Sequence, residues 1–188
     1  SSMSSVTDCT DLESTKNKSL KTVSYRLYPV KELEVIWKKW MAAVRKVYNI
    51  SIAYLNKNQG FTKIGKKSGK MGFRTMLKAS GLIPQWCLDL KVSKILDNAA
   101  MAAYKAWIET AKNPRTINKG KNQKPHPQAG LRIARFRSIR DPKLTIQFDP
   151  SAYKNGRWMV STTKHLPHPE FRGQDFCVLT DGSSELTY

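Results

Sequence analysis

Val23-Ser24-Tyr25-Arg26-Leu27-Tyr28-Pro29, followed at once by Lys31 to Tyr54, is the stretch on which the fold turns. From Lys21, Val23, Tyr25 and Leu27 alternate with polar or basic neighbours, the period-two pattern of a strand, and Pro29 closes it. From Lys31 the period changes. Leu33, Trp37, Trp40, Val44, Val47, Ser51 and Tyr54 recur at three- and four-residue steps, which predicts a helix with one apolar face ending near Gly60.

Beyond Gly60, Lys63, Lys66, Lys67 and Lys70, punctuated by Gly65, Gly69 and Gly72, read as a loop leading to a short helix from Phe73 to Ala79. Pro84 suits the first turn of a second long helix running to about Ala111, with Leu88, Val92, Ile95, Ala99, Ala102 and Ala106 as its buried stripe. Its small residues would let a neighbouring helix approach closely. Residues 113–130 are polar and rich in Pro and Gly, as a solvated loop is. The period then falls to two at Leu144–Ile146–Phe148, Trp158–Val160, Phe176–Val178 and Leu186 to Tyr188, with Asn155-Gly156 a hairpin signal. The expected class is α+β: one strand, a helical insertion, then antiparallel strands that pair with the first in a small barrel.

Charge narrows the function. The 188 residues carry a formal net charge of +19. Eleven Lys or Arg and no acid lie between Glu34 and Asp89, and nine bases and no acid between Glu109 and Asp141. Self-repulsion opposes compaction, so such windows point to a polyanionic partner, nucleic acid first. An apolar content of 40% is enough for a real core and argues against wholesale disorder. The Ser/Thr-rich start, residues 1–20, reads as a flexible tail. Cys9, Cys87 and Cys177 are isolated, so neither a disulfide framework nor a zinc finger is expected. No apolar run approaches the roughly 18 residues that cross a bilayer, and no Lys/Arg-faced amphipathic helix stands out. A cytoplasmic, nucleoid-associated protein without membrane contact is expected.

Catalytic signals are weak. Asp141, Asp149, Glu170, Asp175, Asp181 and Glu185 are scattered and read mostly as turn residues. His165 and His168 lack a Cys or carboxylate partner set, so no metal or other cofactor is expected. Binding signals are stronger. Arg26 and Tyr28 share one face of the first strand. Arg45, Lys46, Tyr48 and Asn49 border the apolar face of the first helix. Arg132, Arg135, Arg137 and Arg140 are the densest group, and arginine favours fork-like phosphate contacts and stacking on bases.

Four short motifs, Tyr25-Arg26-Leu27-Tyr28-Pro29, Val44-Arg45-Lys46-Val47-Tyr48-Asn49, Ala102-Ala103-Tyr104-Lys105 and Arg135-Phe136-Arg137-Ser138, occur in the order and spacing of one family. From about Lys21 to Tyr188 the chain resembles the N-terminal half of TnpB, the OrfB-type protein of bacterial insertion sequences and a relative of compact type V CRISPR nucleases. The resemblance implies a wedge-type β-barrel of residues 21–30 and 131–188, a helical recognition lobe at residues 31–113 with two long helices and a short one, and a loop at residues 114–130. It implies a guide RNA held on Arg26, Tyr28, Arg45, Lys46, Arg132, Arg135, Arg137 and Arg140. It also implies a duplex DNA motif beside the target, read by Lys70, Arg74, Lys91, Ser93, Lys94, Gln147, Asp149 and Ser151, with base pairing reading the target itself. Lys91 and Lys94 are expected on one helix face.

The family's RuvC-like nuclease domain, with its acidic residues and zinc-binding insert, has no counterpart in these 188 residues. A fragment, a split or decayed protein and a chain that binds without cutting all fit. The expectation is a noncatalytic module, with cleavage supplied by a separate RuvC-like polypeptide. An RNA-independent repressor or transposition accessory protein, its helices entering a major groove, is the alternative; a ribosomal-type protein rests on charge alone.

Overall fold

A computed structural model describes residues 23–112, 131–140, 145–149, 151, 153–154, 157–158, 170–178 and 184–187. The expected tail, the Pro/Gly-rich loop and the Asn155-Gly156 turn lie outside the described residues, as do the side chains of β1 and β5–β8. Strand β1 (Val23–Tyr28) leads directly into the 28-residue helix α1 (Lys31–Asn58). Glu32 and Glu34 sit in the first turn, where negative charge complements the helix dipole. Glu34 also pairs with Lys38 at 2.6 Å and Lys31 at 3.7 Å, and these cations lower its pKa. Gln59, at φ 51°, ends the helix in the left-handed region. Gly60 continues the turn at φ 128°, where a Cβ would stand 2.9 Å from the Trp107 ring.

The basic segment after α1 is more ordered than a loop. Strands β2 (Lys63–Ile64) and β3 (Lys67–Ser68) form a tight antiparallel pair, and α2 (Gly69–Ala79) starts four residues earlier than the sequence suggests. Gly72 makes this possible: a Cβ there would lie 2.5 Å from the Lys67 carbonyl oxygen, a backbone atom that has no room to yield. Gly72→Ala is therefore expected to pry α2 off the hairpin and cost about 1–3 kcal/mol, measured as a drop in thermal midpoint; an unchanged midpoint would show that the hairpin moves freely. Phe73, wholly buried, anchors α2 among Tyr54, Phe61 and Tyr104, with ring centroids 5.6–5.9 Å away.

The second long helix is broken. α3 (Gln85–Leu88) is one turn, and α4 (Ser93–Lys112) starts only after Lys91 has taken φ 55°. The Lys91 N–H closes the short turn onto the Leu88 carbonyl, while the Val92 carbonyl accepts the first bonds of α4. The break changes the helical phase. Leu88, expected in the buried stripe, is 48% exposed; Ala102 and Ala106 are half-buried; Leu96, Ala100, Ala103 and Trp107 join Val92, Ile95 and Ala99 inside. Lys91, outside the helix, shares no helix face with Lys94, contrary to expectation.

The remaining strands are β4 (Thr145–Phe148), β5 (Tyr153–Lys154), β6 (Arg157–Trp158), β7 (Glu170–Val178) and β8 (Ser184–Thr187). Glu170, Asp175 and Glu185 thus lie in strands, not turns. An antiparallel four-stranded sheet runs β1-β7-β8-β4, so the first strand does pair with a late one. Tyr25 pairs with Phe176 and Leu27 with Phe171, leaving a bulge opposite Arg26 that interrupts the expected alternation. Among the described residues β1 and β4 are the edges of this sheet and do not pair with each other. β5 and β6 form a separate hairpin with a two-residue connection, the register an Asn-Gly turn favours.

The core lies where α1 packs on α4 and β4. Ala43 of α1 and Ala99, Ala100 and Ala103 of α4 are buried, and their small side chains let the helices close together. Ile146 and Phe148 of β4 cap this layer, Phe148 meeting Trp40 edge-on at 6.3 Å. Cys87 of α3 is fully buried. Burial pushes its thiol up from 9.0 to about 11, against a small opposing pull from Lys46. The folded state therefore holds this proton more tightly, and the contribution to stability is present below pH 9.0 and lost as pH rises toward 11. Alkylation at pH 8 is expected to label Cys87 only on unfolding; rapid labelling of the folded chain would show that α3 opens.

Candidate nucleic-acid interface

Residues 131–140 form an extended strap across α1, held by side-chain amides in place of a strand ladder. The Asn49 amide donates to the Arg137 carbonyl at 2.9 Å and accepts the Arg137 N–H at 2.8 Å. Asn56 does the same for Ala134 at 3.0 and 2.9 Å, and Gln59 for Arg132 at 3.1 and 2.9 Å. The spacing has a simple origin. Seven helical residues from Asn49 to Asn56 rise about 10.5 Å, and three extended residues from Ala134 to Arg137 span about 10 Å. The two repeats match, so α1 templates the strap in antiparallel register.

The clamps fix how the arginines are presented. The Arg137 guanidinium lies over the Tyr48 ring, 4.0 Å from its centroid, and Arg132 lies over Trp107 at 5.2 Å. Ala134 turns inward and is 4% exposed. Arg135 and Arg140 are exposed and form no ion pair among the described residues. Arg45 stands one helical turn before Asn49 on the same stripe of α1, half-buried, and Lys46 is exposed beside it. Five of the eight residues proposed for RNA are therefore brought together here: Arg45, Arg132, Arg135, Arg137 and Arg140. Lys46 borders them, while Arg26 and Tyr28 lie on β1, whose side chains are outside the described residues. Tyr48 is not at the edge of the apolar face, as expected, but 6% exposed as the platform under Arg137.

A second concave surface lies between α4, β4 and the start of α2, a groove of about 980 Å³. Lys70, Asn98, Tyr104, Lys105, Gln147 and Asp149 are among its lining residues. Asn98 donates to the Gln147 carbonyl at 3.0 Å and to Asp149 Oδ1 at 3.3 Å. Lys94 reaches Ser151 Oγ at 3.5 Å and Asp149 at 3.9 Å. Lys70, Lys94, Gln147, Asp149 and Ser151 are thus assembled about one groove. Ser93, the first residue of α4, and Lys91, on the preceding turn, are exposed to one side.

Arg74 has a different role. Its guanidinium is 3.6 Å from the nearly buried Asp97, which also takes Lys78 at 2.8 Å, and its Nε is buried with no hydrogen-bond partner among the described residues. That arrangement ties α2 to α4. Sequence reading missed Asn56, Gln59, Asn98 and the platform Trp107, took Tyr48 for an edge residue, and did not place Lys105 at the groove. A signal existed: Asn49 and Asn56 fall at i and i+7, and Lys94, Asn98 and Lys105 at i, i+4 and i+11, each a stripe on one helix face.

Residues 19–59, which include the clamp residues of α1, match the family model of the OrfB IS605 helix-turn-helix domain. The match indicates the N-terminal region of a TnpB/OrfB-type, transposon-associated protein over these residues. No curated protein and no solved structure matches the chain. The described part of the OrfB-type region is a strand and one unbroken helix, with no turn between residues 31 and 58. It therefore lacks the two short crossed helices that place a recognition helix in a major groove. Nucleic-acid binding is what the match suggests, and the basic strap beside α1 is the surface suited to it. No helix among the described residues is long and apolar enough to cross a membrane.

Proposed function

We infer that these 188 residues form the nucleic-acid-binding part of a TnpB-like RNA-guided system. The observation that carries this is the arginine strap locked onto α1 of the OrfB-type region. Six side-chain–backbone hydrogen bonds hold its backbone, so ordering its arginines on a phosphate backbone costs little further entropy. The guide RNA lies along Arg45, Lys46, Arg132, Arg135, Arg137 and Arg140, reaching Arg26 and Tyr28 on the sheet. The α4–β4 groove takes the duplex motif through Lys70, Lys94, Lys105, Gln147 and Ser151, with Lys91 and Ser93 at its flank. The sheet is then part of a wedge barrel and α1–α4 its recognition lobe. These residues bind without cutting, and cleavage falls to a RuvC-like nuclease outside them. The place of action is the nucleoid.

Sequencing the RNA that survives a high-salt wash of the chain purified from its native host tests the reading. A single enriched structured RNA from a transposon end is expected. A palindromic DNA site bound tightly without RNA would overturn it in favour of a repressor or accessory factor.

A further inference from the structure

The strap presents apolar side chains as well as arginines. Phe136 is 58% exposed, Ile139 76% and Leu131 54%, on a segment whose Ala134 is turned inward. Single exposed apolar residues are ordinary. Three on ten residues that also carry four arginines are not accounted for by the packing against α1. The backbone between Arg132 and Arg137 is already committed to the amide clamps, so Phe136 is held at the surface and lacks the freedom of a mobile loop to fold back. Arg135 precedes it in the chain and Arg140 follows four residues on, both exposed.

We propose that Phe136 is a stacking platform for an unpaired base, with Arg135 and Arg140 holding the flanking phosphates. The proposal rests on the nucleic-acid reading and names its substrate class: a single-stranded segment of RNA. An aromatic face between cations is how proteins hold single strands with little sequence preference, because every base has a π-face. A duplex hides those faces within its own stack, so a wholly paired RNA would satisfy the arginines and leave Phe136 in water. An acidic peptide would also satisfy the arginines, but its carboxylates have no use for the ring.

The test uses the full chain and a short single-stranded RNA carrying one fluorescent purine whose emission is quenched by stacking. The wild-type chain is expected to bind with quenching, and Phe136→Trp to keep both. Phe136→Leu, similar in hydrophobicity but without a ring face, and Phe136→Ala are expected to weaken binding by about 5- to 100-fold and lose the quench. Because residue 136 is exposed, all three variants should melt with the wild type. If Phe136→Leu binds as the wild type does with the quench intact, the platform is wrong while the nucleic-acid reading stands. If paired RNA depends on Phe136 as strongly as single strands do, the substrate class is wrong. If the variants abolish self-association and leave RNA binding untouched, the face belongs to a second copy of the chain. No binding by the wild type at low salt overturns both readings together.

Discussion

Replacing Asn49 and Asn56 together by Ala should destabilise the protein more than any other surface change considered. The two amides make four hydrogen bonds to the backbone of Ala134 and Arg137, all partly buried. Each contributes about 0.5–1.5 kcal/mol net, so the pair of substitutions costs about 2–6 kcal/mol. For a chain of this length that is a fall of about 10 °C in thermal midpoint. Asn56→Asp sharpens the test. A carboxylate can still accept the Ala134 N–H but cannot donate to its carbonyl, and it brings negative charge against that oxygen. It should therefore be no better than Ala at neutral pH. A double variant that melts like the wild type would show that the strap contributes nothing to the fold. Nucleic-acid affinity should fall with stability, because the freed strap must be ordered on binding.

Replacing Arg135 and Arg140 by Gln should have the opposite signature: a large change in binding and almost none in stability. Both side chains are exposed, and substitutions at such positions stay within about 0.5 kcal/mol. If each neutralises one phosphate of a single strand, the slope of log affinity against log salt should shrink by about 1.4. An unchanged slope with weakened binding would mean that the two arginines act other than through phosphate. Arg137 must be kept out of this test. In the sequence Arg137 looks no different from Arg135 and Arg140. In the structure Arg137 is half-buried on the Tyr48 ring and its backbone is clamped by Asn49. Arg137→Gln is expected to cost about 0.5–2 kcal/mol through the lost cation–π contact, so it would confuse a binding defect with a folding one.

A description of this region as helix-turn-helix and its described geometry point to different modes of binding. A recognition helix needs a free face to enter a groove. Here α1 buries Leu33, Trp37, Trp40, Val44, Val47, Ile52 and Leu55 on one side and clamps the strap on another. What it offers to a nucleic acid is the strap that it carries.

Periodicity was sufficient for the elements whose burial is decided locally. β1 and α1 came out close to their expected limits because alternation and a one-sided apolar stripe leave little choice of conformation. The antiparallel pairing of the first strand with a late one was legible too, since a lone strand before a helical insertion needs a partner. Charge without acids marked the basic surface. Tertiary structure decided the rest, for three physical reasons. The break at Lys91 depends on where Leu96, Ala100 and Trp107 meet α1, and a stripe containing Leu88 fits a helix equally well until that partner is in place. The hairpin at residues 63–68 exists because Gly72 lets α2 lie against a carbonyl, a contact that no local propensity encodes. The strap satisfies its backbone with amides from residues 73 to 88 positions away, so no pattern within residues 131–140 could announce it. The sequence by itself determined that this protein would be basic, α+β and suited to a polyanion; only the tertiary contacts decided which arginines are held and which are offered.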